Sequence, residues 1–151
     1  MKKKLNYLLL IAFCLVLVTA CSNDDDPIPD YTQPKPAWKL DQSVNYDATM
    51  TSVVVLPNSL QEHAQDNDLL AVFVGEECRG IASVITQDNE YYYFLTIKGY
   101  YDEQGKIAFK YYSMSQSYLY TTNATLEFEP DRILGVIDNP VVLDNLALVT
   151  D

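Results

Sequence analysis

The sequence predicts an all-β protein: a single antiparallel β-sandwich, immunoglobulin-like or jelly-roll-like, of about eight strands. Three observations predict it. Short runs rich in Val, Ile, Thr, Tyr and Phe recur along the chain from Met50 onward. Turn-forming clusters such as Pro57-Asn58, Gly75-Glu76, Asp88-Asn89 and Asp102-Glu103-Gln104-Gly105 separate them. Helical periodicity is missing; only residues 59–68 (SLQEHAQDND) leave room for a helical turn, and they are polar enough to be loop.

The elements follow in order. Met50 to Leu56 (MTSVVVL) is a β-branched run that ends at Pro57. Leu69 to Val74 is a second strand and Glu77 to Thr86 a third. Glu90 to Tyr100 (EYYYFLTIKGY) is a long aromatic strand. Lys106 to Ser113 alternates, with Ile107, Phe109 and Tyr111 on one face. Tyr118 to Thr121, Thr125 to Phe128 and Val141 to Leu143 complete the set. Residues 37–148 form one domain, large enough to bury about two-thirds of its chain surface without a disulfide or metal staple. Residues 149–151 are a tail.

The segment before the domain is an address. Lys2, Lys3 and Lys4 precede an apolar stretch from Leu5 to Val18, followed by small Thr19 and Ala20. This is the layout of a secretory signal over residues 1–20. The rival is a membrane-spanning helix, but 14 residues at ~1.5 Å each reach only ~21 Å across a ~30 Å hydrocarbon core. Val18-Thr19-Ala20-Cys21 resembles the lipobox of bacterial lipoproteins, with Val and Thr where that family more often has Leu and Ala or Ser. The resemblance implies cleavage before Cys21, lipid on its thiol and acylation of the new N-terminus. Two or more acyl chains hold a protein stably at a membrane. The alternative makes Cys21 an ordinary residue after a conventional cleavage site, an exposed thiol in an oxidising compartment. Ser22-Asn23-Asp24-Asp25-Asp26 resembles the export signal of Bacteroidota surface lipoproteins, which implies an outer-membrane, surface-exposed location. Its plainer reading is a solvated acidic tether. Pro27, Pro29, Pro34 and Pro36 make residues 21–36 an extended spacer with a reach of about 45 Å.

Composition excludes more functions than it suggests. Lys and Arg number 10 against 21 Asp and Glu, a formal charge of -11. Loss of the three leader lysines leaves 7 basic residues in the mature chain. Such a chain has no basic footprint for nucleic acid. Of three cysteines, the resemblance implies that Cys14 would leave with the leader and Cys21 would carry lipid; Cys78 would then have no intramolecular disulfide partner, and it reads as a small buried hydrophobe. His63, the one histidine, lies in a polar loop away from any nucleophile motif, so a solvated loop residue outweighs a general base. No hydrolase elbow, zinc motif or phosphate loop occurs. A glycosidase carboxylate pair would need a cleft that a small sandwich hardly offers. Asp66-Asn67-Asp68 and Asp102-Glu103-Gln104-Gly105 carry oxygen ligands but lack the EF-hand order, and acidic turns are more often only turns. The expectation is therefore no enzyme, no cofactor and no metal. Asn123-Ala124-Thr125 matches an N-glycosylation acceptor, which carries little meaning in a bacterial lipoprotein.

One ordered set of residues points to a family: Trp38, Tyr46, Met50-Thr51, Ala71-Val72-Phe73-Val74-Gly75, Cys78-Arg79-Gly80, Tyr93-Phe94-Leu95-Thr96-Ile97, Gly105, Phe109-Lys110-Tyr111-Tyr112, Leu126-Glu127-Phe128, Gly135 and Asp138-Asn139-Pro140-Val141-Val142-Leu143. This set resembles a β-sandwich module of secreted and surface proteins of Bacteroidota, alone on lipoproteins or repeated in longer chains. It covers nearly all of 37–148. The resemblance implies fold and location and carries no site. The residues have physical readings of their own. Gly75 suits a positive φ in a hairpin. Gly80 marks a bulge or a close backbone approach. Arg79, the sole base of an acidic stretch, pairs with a carboxylate or with backbone carbonyls across the sandwich; a ligand role is the less common alternative.

Tyrosines are the functional lead. Neighbouring residues on a strand face opposite ways. If Tyr93, Leu95, Ile97, Ile107, Phe109 and Tyr111 face the core, then Tyr92, Tyr112 and Tyr100 face solvent as candidate ligand-binding rings, able to stack on sugars or anchor a protein. The bland alternative is that Tyr is simply a good strand former with a wettable tip. The expected function is a non-catalytic, lipid-anchored surface binding or adhesion module with a glycan as leading ligand. The alternative is a structural partner of another envelope protein, paired through an exposed edge strand.

Overall fold

Eleven strands form among the described residues of the chain's computed structural model, which are 29–123 and 126–150. They are β1 (Ala48–Val55), β2 (Leu69–Val74), β3 (Glu77–Ile81), β4 (Ser83–Gln87), β5 (Glu90–Gly99), β6 (Lys106–Ser113), β7 (Tyr118–Thr121), β8 (Leu126–Glu127), β9 (Ile133–Leu134), β10 (Val141–Val142) and β11 (Ala147–Leu148). One helical turn, α1 (Asn58–Gln61), opens the segment expected to hold it. The expected leader (residues 1–20), Cys21 and the start of the expected tether lie outside the described residues. Tyr31–Asp151 is one unit with its own core.

The strands make two sheets, as a sandwich requires. The first runs β10-β1-β5-β4, with β9 also on β1. The second runs β11-β7-β6-β2-β3, with β8 also on β6. Most pairs are antiparallel, but β1 pairs in parallel with both β9 and β10. The first sheet is therefore mixed, and the two-residue strands β9 and β11 add to the expected count.

The expected third strand, Glu77 to Thr86, is two. It leaves the second sheet at Ile81 and enters the first at Ser83, while Ala82 N–H bonds Leu70 O at 2.9 Å. Register explains the crossing. Val72 faces Gly80 but Phe73 faces Cys78, so Arg79 is an extra residue, a β-bulge that bends and twists the strand. Gly80 then passes so close to β5 that a Cβ there would sit 2.7 Å from Thr96 O. Both readings of Gly80 hold at once. Gly75 takes φ +57° in the β2–β3 turn.

The core lies between the sheets. Met50, Val54, Leu70, Val72, Tyr93, Leu95, Ile97, Ile107, Phe109 and Tyr111 are all buried there, with the expected face of β5 and β6 inward. Each such side chain contributes about 1.5–3 kcal/mol. Tyr93 and Tyr111 meet edge to face with ring centroids 6.2 Å apart. Asp68 is buried beside them. Its carboxylate accepts from Tyr111 Oη at 2.6 Å and from the backbone N–H of Gln65 and Met114, each at 2.8 Å. This acid is a structural acceptor whose oxygens are engaged.

Candidate functional site

Each sheet has an outer face, and the chain treats the two differently. On the second sheet, Ala71, Phe73 and Cys78 point outward and are still buried, because Trp38 and Leu40 pack over them. Trp38 meets Phe73 edge to face at 5.7 Å. Gln33 ties the same segment down: its N–H bonds Ser117 O at 2.7 Å and its carbonyl accepts from Tyr112 Oη at 2.8 Å. So Gln33, expected within the tether, lies against the domain.

The first sheet is covered only in part: Val53 and Val55 are buried, while the positions around them stay open. Its outward rows follow from register. Val142, Val55, Tyr92 and Ile85 form one row, and Val53, Phe94 and Ser83 the next. Thr51 and Thr96 follow, with Ile133 beside Thr51. Five aliphatic side chains are exposed here: Ile133 (68%), Val136, Ile85, Val142 and Ile81. A groove of about 710 Å³ lies over β1 and β5. Thr51, Val53, Phe94 and Thr96 make its floor; Ile133, Val136 and Ile137 stand on one side, and Ile81, Ser83 and Leu40 on the other. Contiguous apolar surface of this kind marks interaction sites.

Local chemistry builds the walls. Gly135 takes φ +74°, and a Cβ there would lie 2.5 Å from Val53 O, so only glycine lets the β9–β10 connection press against β1. Asp88 and Asn89 both take positive φ between β4 and β5, the geometry of a tight primed hairpin turn. That turn brings Asp88 and Glu90 to one end of the outer face. Tyr92 Oη donates to Glu90 Oε2 at 3.1 Å, and Asp88 and Asp138 add negative charge nearby. Its phenol is pushed above the ordinary range, first by the Glu90 hydrogen bond.

The three candidate tyrosines do not form one row. Tyr92 is half-buried beside the acids. Tyr112 does not face solvent: it is 3% exposed, because the Gln33 segment covers its face. Tyr100 packs in another cluster, its centroid 5.4 Å from Tyr46, and both rings flank Arg79. The Arg79 guanidinium lies 4.9 Å from the Tyr46 centroid and 5.6 Å from that of Tyr100. Its Nη1 donates to Glu103 Oε2 at 2.8 Å and to Lys98 O at 3.2 Å, and Nε lies 3.2 Å from Glu77 Oε2. Tyr46 Oη in turn donates to Glu77. Burial, then Glu77, pushes the Tyr46 phenol up to about 12. Arg79 thus has the pairing role its acidic neighbours predicted, and Glu103 answers it rather than a cation.

The remaining candidates lie apart. His63 is exposed in its loop. Cys78 is buried, which raises its thiol pKa and keeps it protonated. Among the described residues, no cluster of three or more His, Cys, Asp or Glu side chains has a metal-holding arrangement. Sequence reasoning missed the groove. Ile133 and Val136 lie in none of the runs it marked as strands, and the parallel pairing of β9 with β1 sets them in one groove with Ile81 and Phe94. Comparisons with protein-family models, with curated proteins and with solved structures find no match to this chain.

Proposed function

We propose that the chain is a non-catalytic, lipid-anchored surface module of the bacterial outer membrane that docks another envelope polypeptide on the outer face of its first sheet. One observation carries the reading: the chain covers the outer face of one sheet with its own Trp38 segment and leaves Ile133, Val136, Ile85 and Val142 exposed over the other. The lipobox-like Val18-Thr19-Ala20-Cys21 supports the anchor, and the acidic run after it supports the surface. The assembly reading gains over the glycan reading because of the lining. Sugar recognition needs stacking rings beside fixed polar groups. The groove is mainly aliphatic, Tyr112 is covered, and Tyr100 is committed to the Arg79 cluster.

The test pairs an anchor variant with a surface variant in a lipoprotein-processing bacterium. Cys21→Ser is expected to abolish the acyl mass increment and detergent partitioning. Ile133→Asp with Val136→Asp, both at exposed positions, is expected to leave the fold intact and abolish one specific crosslink in the envelope. Retention of that crosslink, or specific retention of the wild type by a polysaccharide, would overturn the docking reading.

A further inference from the structure

We infer that the groove takes an amphipathic α-helix of the partner protein, apolar stripe inward and Lys or Arg on the flank that meets Asp88, Glu90 and Asp138. The inference rests on the docking reading above and names the occupant. Backbone chemistry argues first. The floor is the side-chain surface of β1 and β5, whose backbone groups are spent on their own ladder. An extended segment laid there would bury its N–H and C=O groups without partners, at about 1–3 kcal/mol each. A helix satisfies its own backbone.

Width argues next. The walls stand on β9 and at the β3–β4 junction, and β9 and β4 are three strand positions apart through β1 and β5. Three spacings of about 4.8 Å give about 14 Å between strand axes. A helix with side chains is about 10–12 Å across, so it spans the floor and touches both walls. A single acyl chain would leave most of that floor wet.

Charge selects among helices. Asp88, Glu90 and Asp138 gather around Tyr92 at the hairpin end, in a chain of formal charge -11. They repel the carboxylate of a fatty acid and the acidic rim of a second copy, and they attract cations on a partner.

The experiment uses the mature chain with Cys21→Ser. The probe is a fluorescein-labelled 18-residue peptide, Leu at i, i+3, i+4 and i+7 with Lys beside the stripe. Controls replace Lys by Glu, place a central Pro, or alternate Val with Thr; palmitate serves as competitor. The Lys helix is expected to bind, to gain helical circular dichroism on binding, and to weaken with salt. The Glu helix and the Pro-broken helix are expected to bind at least about tenfold more weakly, a difference of about 1.4 kcal/mol. Ile133→Asp with Val136→Asp abolishes the Lys-helix signal, and Thr86→Lys on the β4 edge leaves it. Equal binding of Lys and Glu helices, tighter binding of the Val/Thr strand, displacement by palmitate, or a sedimenting dimer that closes the groove would each overturn the helix. If all peptides fail while Ile133→Asp with Val136→Asp still abolishes the envelope crosslink, the helix falls and the docking reading stands. If the crosslink also survives, both fall.

Discussion

Arg79 shows how much one residue can organise. A bulge aims it, two aromatic rings flank it, and two carboxylates and a carbonyl answer it. Removing one member of a buried ion cluster strands the others. Arg79→Met is expected to lower unfolding free energy by about 3 kcal/mol in urea titration, and Arg79→Lys by less, because ammonium keeps the charge but loses the fork and the stacking. A loss under about 1 kcal/mol for Arg79→Met would remove Arg79 from the framework. The same neighbourhood sets an alkaline limit. The Tyr46 phenol rises from its ordinary 10 to about 12, and burial also raises those of Tyr93 and Tyr111. The unfolded chain releases these protons first, so the folded state binds more of them above pH 10. Their stability contribution is whole below pH 10 and drains as pH climbs toward 12. Thermal midpoints should fall across that window, with a smaller fall in Tyr46→Phe. A flat profile would mean that the phenols titrate alike in both states.

At the level of elements, the strand-forming runs were legible because β-branched and aromatic residues end at turn residues; β2, β6 and β7 have the expected bounds. The inward face of β5 and β6 was legible from alternation alone. The break at Ala82 was not: Gly80 signals a bulge or a close approach, but whether the strand then changes sheets depends on its register with a partner strand. Tyr112 failed for a similar reason. Its cover comes from Gln33, 79 residues away, and periodicity knows nothing of such contacts. The groove failed because its wall is a two-residue strand held by Gly135. Gly135→Ala is expected to cost about 1–3 kcal/mol through its positive φ and the Val53 carbonyl, and to weaken Lys-helix binding at temperatures where the domain stays folded. Unchanged stability in urea titration would show that the β9–β10 connection relaxes freely.

At the level of the whole molecule, the sandwich is asymmetric in what it covers. Residues before β1 close one outer face, and the opposite one keeps Ile85, Ile133, Val136 and Val142 in water. A protein with a formal charge of -11 stays dispersed through repulsion while one face remains sticky. On the proposed docking reading, acid at one end of that face would admit a cationic partner past the repulsion that keeps like molecules apart.

The parallel pairing of β1 with β9 and β10 has a temporal side. β1 and its antiparallel neighbour β5 lie near each other in sequence, but its two parallel neighbours, β9 and β10, lie much further along the chain. Until those strands dock, β1 carries a bare flank. Long-range closure of this kind is slow. The first sheet is therefore complete only once β9 and β10 dock, and until then the flank of β1 is an unpaired edge, the kind of surface that invites pairing with another chain.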